Sequence, residues 1–411
     1  MKEKTIASES ESRICFENLD SWARVQVQGF LQRLLEDEVT ELLGRVKYER
    51  REAIDGVQAY RNGYGKPRSL TLSGGTVTVR RPRVRGLEER FESRVLPLFA
   101  KRTQSVADAI PELYLHGLAE GDFDLALRGL LGDKAPLSAS TVARLKQRWK
   151  GELVTWKARD LSDLDPVYIW VDGLYVKAGL EKTKAALLVV LAALSDGSKV
   201  VLSVTSGYRE STESWSAVLR DLKSRGLRPP RVLIADGHLG IWGALRNVWP
   251  EVDEQRCWNH RIQNVLDRVP KSRREEAKVL LRKIPYSETE QKAVKARDLF
   301  IKWCRLQNFE TAGQILLEDW DRMVTFYSYP KQHWQHLRTT NPVESPFAAV
   351  RLRTNAAKRY KKVENATVVI WKMLLVAENT FRKLRSPQLC ADVAAGTKYN
   401  DGIKKIERAA A

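Results

Sequence analysis

Apolar and polar positions change period along the chain and mark four stretches. Between residues 25 and 43, Val25, Phe30, Leu31, Leu34, Leu35, Val39, Leu42 and Leu43 recur at helical spacing. The pattern predicts an amphipathic helix whose charged residues face away from the stripe, suited to packing or dimerisation. From Tyr60 a period of two takes over in YRNGYGKPRSLTLSGGTVTVRRPRVRG, predicting two short strands around Gly74-Gly75. Arg80, Arg81, Arg83 and Arg85 follow, and Pro82 among them confines that segment to an edge. These arginines suit a backbone-phosphate patch, and equally a charged edge protected from aggregation.

Residues 107 to 156 read as three helices: Ala107 to His116, Phe123 to Leu131 behind Asp122 as N-cap, and a third from Ser138. In the third, Val142, Leu145, Trp149, Leu153 and Trp156 form the apolar face, leaving Arg144, Gln147, Arg148 and Lys150 for a ligand. Short helices separated by Gly and ending in a longer basic one fit a helix-turn-helix that lays its third helix in a major groove. An ordinary three-helix packing unit is the plainer alternative.

From Pro166 the pattern becomes α/β. VYIWV, AALLVVLAAL and KVVLSV are strand-like, the last two joined by a turn at Asp196-Gly197. A helix with Trp215, Val218, Leu219 and Leu222 on one face follows, then the buried strand RVLIA and the helix IWGAL. Three strands in a meander, then helix, strand, helix, is the order of a ribonuclease H-like core. Residues 261 to 335 read as helical throughout, an all-α insertion.

Composition narrows the partners. Lys and Arg number 70 against 51 Asp and Glu, a formal charge of +19, yet 12 Trp, 12 Tyr and 10 Phe argue against disorder. A polyanionic partner is the better reading. The four cysteines, Cys15, Cys257, Cys304 and Cys390, are too scattered for a disulfide framework, so a reducing, cytoplasmic compartment is expected. The longest apolar run, Ala185 to Leu194, is half the length of a membrane helix, and the N-terminus carries no signal-peptide pattern.

Candidate chemistry rests on three acids. Asp172 ends the first strand run and Asp236 the fourth, and these strands are neighbours in the proposed order. Two carboxylates side by side repel unless cations lie between them, which suits Mg²⁺. Because each is followed by Gly, each could instead be a turn, and Asp172 could sit in a plain hairpin. Glu344, in Asn341-Pro342-Val343-Glu344, has the form of a capping box with Asn341 as cap. Behind it crowd Arg351, Arg353, Lys358, Arg359, Lys361 and Lys362, as suits a helix along a phosphodiester backbone.

The motifs YRNGYG, VDGLYVKAGLE, VTSGYRESTESWSAVLRDLKSRGL, ADGHLGIWGAL, RCWNHRIQNVLDRVPKS and LRTTNPVESPFAAVRLRT occur in order along the chain. In them the sequence closely resembles the Mutator-type transposases of bacterial insertion sequences, of the DDE recombinase superfamily. The resemblance implies that Asp172, Asp236 and Glu344 are a catalytic, metal-binding triad. They would hold two Mg²⁺ ions, replaceable by Mn²⁺, for cleavage and strand transfer at terminal inverted repeats. It also implies a homodimer or larger assembly on repeat and target DNA, nucleoid-associated when bound. Alternatives are a structure-selective nuclease on the same fold and a non-catalytic DNA-binding regulator.

The family's Cys-x-x-His signature is matched by Cys257 and His260. Two ligands are a weak zinc signal. His333 and His336 could complete a set of four, but a supporting role beside the active-site strand is the preferred reading. Trp258 within the signature is read first as core and second as a platform for a splayed base.

The expected organisation is thus a multidomain α+β chain. Residues 1–105 form a helical and β-hairpin region for dimerisation and DNA contact through Arg80, Arg81 and Arg83. Residues 106–160 hold the helix-turn-helix with Arg144, Arg148 and Lys150. The ribonuclease H-like core runs over 161–260, is interrupted by the insertion 261–335 and resumes over 336–385 with Arg351 and Arg353 beside DNA. A basic tail, 386–411, ends the chain.

Overall fold

A computed structural model describes residues 16–49, 58–118, 122–132, 135, 139–179, 184–207, 210–237 and 239–405. Cys15 and the expected start of the third helix at Ser138 lie outside the described residues. The chain divides into two compact units, residues 1–145 and 146–411.

The first unit opens with helix α1 (Leu19–Leu43), followed by strands β1 (Tyr60–Tyr64), β2 (Arg68–Leu72), β3 (Gly75–Val79) and β4 (Pro82–Arg85). β2 and β3 form the antiparallel hairpin expected around Gly74-Gly75, and among the described residues β4 pairs only with β1, which suits Pro82 at an edge. Leu35 of α1 packs on Leu70, Val77, Val79 and Leu96, while Val39 and Leu43 pack on Ala59. The apolar stripe of α1 is only half used: Val25 and Phe30 are 66% and 54% exposed. Nor do all its charges face outward. Glu38 is buried and accepts hydrogen bonds from the Ser93 hydroxyl and the Arg94 amide, which pins the loop after β4 to the helix. Two helices follow, α2 (Gln104–Leu115) and α3 (Phe123–Leu131). The boundary between the units falls inside α4 (Ala139–Lys157), whose Val142, Trp149 and Leu153 are buried as the spacing predicts.

The second unit is built on β5 (Pro166–Val176), β6 (Ala185–Leu194), β7 (Lys199–Gly207), α5 (Thr212–Ser224), β8 (Val232–Ala235), α6 (Leu239–Val248) and β9 (Asp253–Arg256). Its five strands lie in the order β7-β6-β5-β8-β9. The meander β5-β6-β7 is antiparallel, whereas β8 and β9 run parallel to β5. Trp215, Val218, Leu219 and Leu222 of α5 and Ile241, Trp242 and Leu245 of α6 cover one face of the sheet, against Ile169, Val171, Leu188, Val190 and Leu233. At about 25 cal/mol per Å² of apolar surface removed from water, this layer supplies much of the unit's stability.

The sequence places a boundary at Asp172-Gly173, and the structure does not. β5 runs through both residues to Val176 because β6 pairs with it throughout, Asp172 opposite Val189 and Gly173 opposite Leu188. Long-range pairing overrides the local turn preference of Asp-Gly. At Asp196-Gly197 the turn does form, with Gly197 at φ 78°.

Beyond β9 come α7 (Trp258–Leu266), α8 (Arg274–Lys283), α9 (Glu290–Leu306), α10 (Glu310–Leu317) and α11 (Trp320–Val324), and residues 261–335 contain no strand among those described. Buried Arg261 fastens this insertion to itself, donating to the carbonyls of Ile315 and Glu318 and to Asp319. The chain returns through α12 (Trp334–Leu337), α13 (Asn341–Glu344), α14 (Phe347–Ala356) and α15 (Val363–Glu378), the last packed near β7. Residues 388–404 of the basic C-terminal stretch are folded, as α16 (Gln388–Ala394) and the hairpin β10 (Tyr399–Asn400) and β11 (Ile403–Lys404). Cys390 and Val393 anchor α16 in the interior. No helix among the described residues is long and apolar enough to cross a membrane.

Candidate active site

Asp172 lies within the central strand β5, two residues past its last pair with β8, and Asp236 directly follows the adjacent parallel β8. Trp170 pairs with Ile234, so two residues further on the two acids stand level on neighbouring strands. The third acid arrives from the far side of the insertion: Glu344 ends α13, which packs near β5 and β6. Burial, then the charges of Glu344 and Asp236, push the Asp172 carboxyl up to about 7. The structure therefore brings the three predicted acids together, close enough to feel one another's charge.

Each is held by neighbours. Asp172 accepts a hydrogen bond from the Gly173 amide at 2.8 Å. The main chain at Asp236 is fixed by Arg256, whose Nε donates to the Asp236 carbonyl at 3.3 Å and whose Nη1 binds Asp319 of the insertion at 2.5 Å. Gly237, at φ 100°, makes room for that guanidinium, since an added Cβ would lie 2.1 Å from Nε. Arg322 joins the same network through Glu254 and Asp319, so the insertion braces the edge strand behind Asp236.

The Glu344 turn differs in register from its expected capping box. Thr340, not Asn341, is the N-cap, and Glu344 accepts a hydrogen bond from the Thr340 hydroxyl rather than from the Asn341 amide. The reason lies in the preceding chain: the Arg338 carbonyl accepts from the Trp258 amide at 2.8 Å, and the Thr340 amide donates to the Cys257 sulfur at 3.4 Å. These contacts start the helix one residue early. Ser345-Pro346 then interrupts it before α14.

The Cys-x-x-His signature closes this arrangement. Cys257 is the N-cap of α7, with its amide bonded to the Ala235 carbonyl. Interaction with the Cys257 sulfur raises the His260 imidazole to about 9, against the effect of burial, with Glu344 and Asp236 adding to the rise. Geometrically Nδ1 makes no complete hydrogen bond, and Glu344 Oε1 lies 4.0 Å away. His333 and His336 stand elsewhere and do not complete a four-ligand set. His333 pairs with the Tyr168 hydroxyl at 2.7 Å, and His336 accepts from the Arg385 amide. Burial lowers the proton affinity of both, His336 to about 4. Trp258 is 1% exposed, donates its indole N–H to the Met323 carbonyl at 2.7 Å and meets Trp320 edge-on. It is a core residue joining α7 to α11, and the platform reading fails.

A fourth acid escaped the sequence reading. Glu210, 7% exposed at the start of α5, presses on Gly173, where an added Cβ would come 2.0 Å from Oε1. Burial, and then the hydrogen bond with Glu210, raise the Tyr175 phenol far above its ordinary value. The only hint was an acid before the Ser211 N-cap, a common motif.

The expected cationic contacts divide. Arg80, Arg83 and Arg85 are exposed, and Arg81 is half-buried. Arg81, Arg83 and Arg85 line a cavity of about 360 Å³ together with Lys66, Arg68 and Arg90, which the sequence reading did not single out. Burial, then Arg68 and Arg90, lower the proton affinity of Arg81. Arg144, Arg148 and Lys150 are exposed on α4, where Arg148 pairs with Glu152 at 3.0 Å and Lys150 with Glu364 at 2.7 Å. On α14, Arg351 is exposed, but Arg353 is 2% exposed and turned into the protein, away from any ligand. Two positions apart on a helix, the two side chains leave the axis about 200° apart, so when one faces outward the other faces the interior.

Two acids at neighbouring strands of a mixed five-stranded sheet, joined by a third from a helix, in a strongly basic chain, define a candidate polynucleotide-processing protein. The Mutator family of transposases matches residues 1–383, and the chain belongs to that family. It is 42% identical over 303 residues to the transposase for insertion sequence element IS6120 of Mycolicibacterium smegmatis, covering 74% of this chain and 93% of that one. To the transposase for IST2 of Acidithiobacillus ferrooxidans it is 36% identical over 280 residues, 68% and 94% of the two chains. To that for ISRM5 of Rhizobium meliloti it is 28% identical over 370 residues, 88% and 89%.

Proposed function

We propose that this transposase binds the terminal inverted repeats of its own element and cuts and joins DNA strands with Asp172, Asp236 and Glu344. The observation that carries the reading is the elevation of Asp172 to about 7 by burial and by the other two acids. Like charges held together in a partly buried site are a demand for divalent cations, and all-oxygen donors suit Mg²⁺ or Mn²⁺. Bound there, two such ions would supply Lewis-acid polarisation of the scissile phosphate and a hydroxyl nucleophile at neutral pH. The protein's own part is to position and to exclude. Gly173 orients Asp172, Arg256 fixes the chain at Asp236, and Thr340 orients Glu344. Asp172 must give up its proton before it can serve as a ligand.

The meander followed by two parallel strands supports assignment of the sheet to the ribonuclease H-like class, interrupted by an α-helical insertion. The helices α2, α3 and α4 support a helix-turn-helix role, with Arg144 and Arg148 one turn apart on the same side of α4 and Lys150 on another. The arginine-lined cavity and Arg351 would engage phosphates. Two element ends must be held at once, and the exposed Phe16, Trp22, Val25 and Phe30 of the N-terminal region offer an apolar surface for a second copy. The reaction would take place on DNA in the cytoplasm.

Strand transfer of a labelled terminal-repeat oligonucleotide into a plasmid tests the reading. Cutting with joining supports it, cutting alone indicates a nuclease, and binding alone a regulator.

A further inference from the structure

The acids of the candidate active site are hard oxygen donors, but a softer donor set shares one of them. Cys257, His260 and Glu344 each point a ligand atom into one small space, and these atoms lie within 4.8 Å of one another. His260 Nδ1 is buried without a hydrogen-bond partner, 4.0 Å from Glu344 Oε1. Cys257 is the N-cap residue of the nine-residue helix α7, and its sulfur accepts from the Thr340 amide at 3.4 Å, with the Thr340 hydroxyl oxygen 3.3 Å away. The Thr340 amide turns the positive end of its dipole toward the sulfur. Thr340 also binds Glu344, so one residue orients two of the three ligands, the outer-shell support that metal ligands ordinarily receive.

We infer that Cys257 Sγ, His260 Nδ1 and a Glu344 oxygen bind one soft divalent cation of the zinc class. Thiolate, imidazole and carboxylate are the zinc donors, and three protein ligands leave a fourth position open. The ligand atoms stand slightly wider apart than in a filled tetrahedral site, so a small inward movement of the half-exposed His260 accompanies binding. Glu344 cannot serve this ion and the hard-cation triad at full strength together. The soft ion is therefore an inhibitor of the triad, a consequence that rests on the function proposed above, whereas the site itself does not.

Cobalt titration of the metal-free full-length protein, without DNA, tests the site. A thiolate-to-cobalt charge-transfer band should grow to saturation at one ion per chain and be bleached by zinc. Cys257→Ser should abolish it. Thr340→Val, which keeps the three ligands, should weaken binding by about 10-fold to 100-fold. Glu344→Gln should weaken binding while retaining the band, since the sulfur remains. Cys390→Ser is the control, because Cys390 lies 4.0 Å from His333 and is the other buried cysteine beside an imidazole. Persistence of the band in Cys257→Ser, its loss in Cys390→Ser, or its absence from the wild type would overturn the inference. If Asp172→Asn still cleaved DNA, the triad reading would fall and the cobalt result would stand.

Discussion

The acid centre of residues 146–411 and the arginine-lined cavity of residues 1–145 concentrate like charge in opposite ways. At the acid centre, three carboxylates converge on a partly buried strand end, and the shift of Asp172 to about 7 records the cost. In the cavity, six cationic residues surround an open space, and four of the six, Lys66, Arg83, Arg85 and Arg90, are exposed. Water screens the second arrangement and not the first. The first thus depends on bound cations, while the second is ready to exchange small counterions for a polyanion.

The largest test removes the acids. Asp172→Asn, Asp236→Asn and Glu344→Gln should each reduce cleavage and joining to background while leaving terminal-repeat binding within about 3-fold, checked by oligonucleotide strand transfer and by mobility shift. Loss of binding in parallel would erase the proposed division of labour between the two regions.

Next in size is Trp258→Ala. A fully buried indole bonded to Met323 should cost about 3 to 5 kcal/mol, measured by denaturant unfolding, and substrates already unpaired at the terminal base should bring no rescue of activity.

The charge cost at Asp172 has its own signature. This carboxyl holds its proton more tightly folded than unfolded, so the metal-free protein should lose stability as pH rises from about 4 to about 7. Asn at 172 should abolish that decline and raise the melting temperature at pH 8 but not at pH 4. Mg²⁺ should stabilise the wild type at pH 8 and the Asn variant much less.

Smallest are the cations. Arg83→Ala and Arg351→Ala should each weaken DNA binding by roughly 1 kcal/mol or less and flatten the dependence of log affinity on log salt by about one phosphate contact. Arg353→Ala should instead lower the melting temperature, because its side chain is interior.

Much of this architecture was legible in the order of apolar runs. The hairpin at Gly74-Gly75, the meander with its turn at Asp196-Gly197, the buried faces of α5 and α4 and the all-helical insertion follow from periodicity and turn chemistry, which are local. Asp172 and Asp236 were also legible as a pair, since strand order made them neighbours. The errors share a cause. Asp172-Gly173 stays extended because β6 pairs across it, and α13 takes Thr340 as its N-cap because of contacts with Cys257, 83 residues away in sequence. Glu210 was passed over because nothing nearby in the chain tells that it lies against Gly173.

The sequence by itself determined the order of most strands and helices, the positions of the three acids and the excess of positive charge, because residue type and spacing carry that information. Tertiary structure alone decided which side chains are interior and which converge. Arg353 and Trp258 are closed off from any ligand, Lys66, Arg68 and Arg90 join Arg81 around one cavity, and Cys257, His260 and Glu344 meet in one space. Those outcomes depend on packing between segments far apart in the chain, and a one-dimensional pattern contains no distance between them.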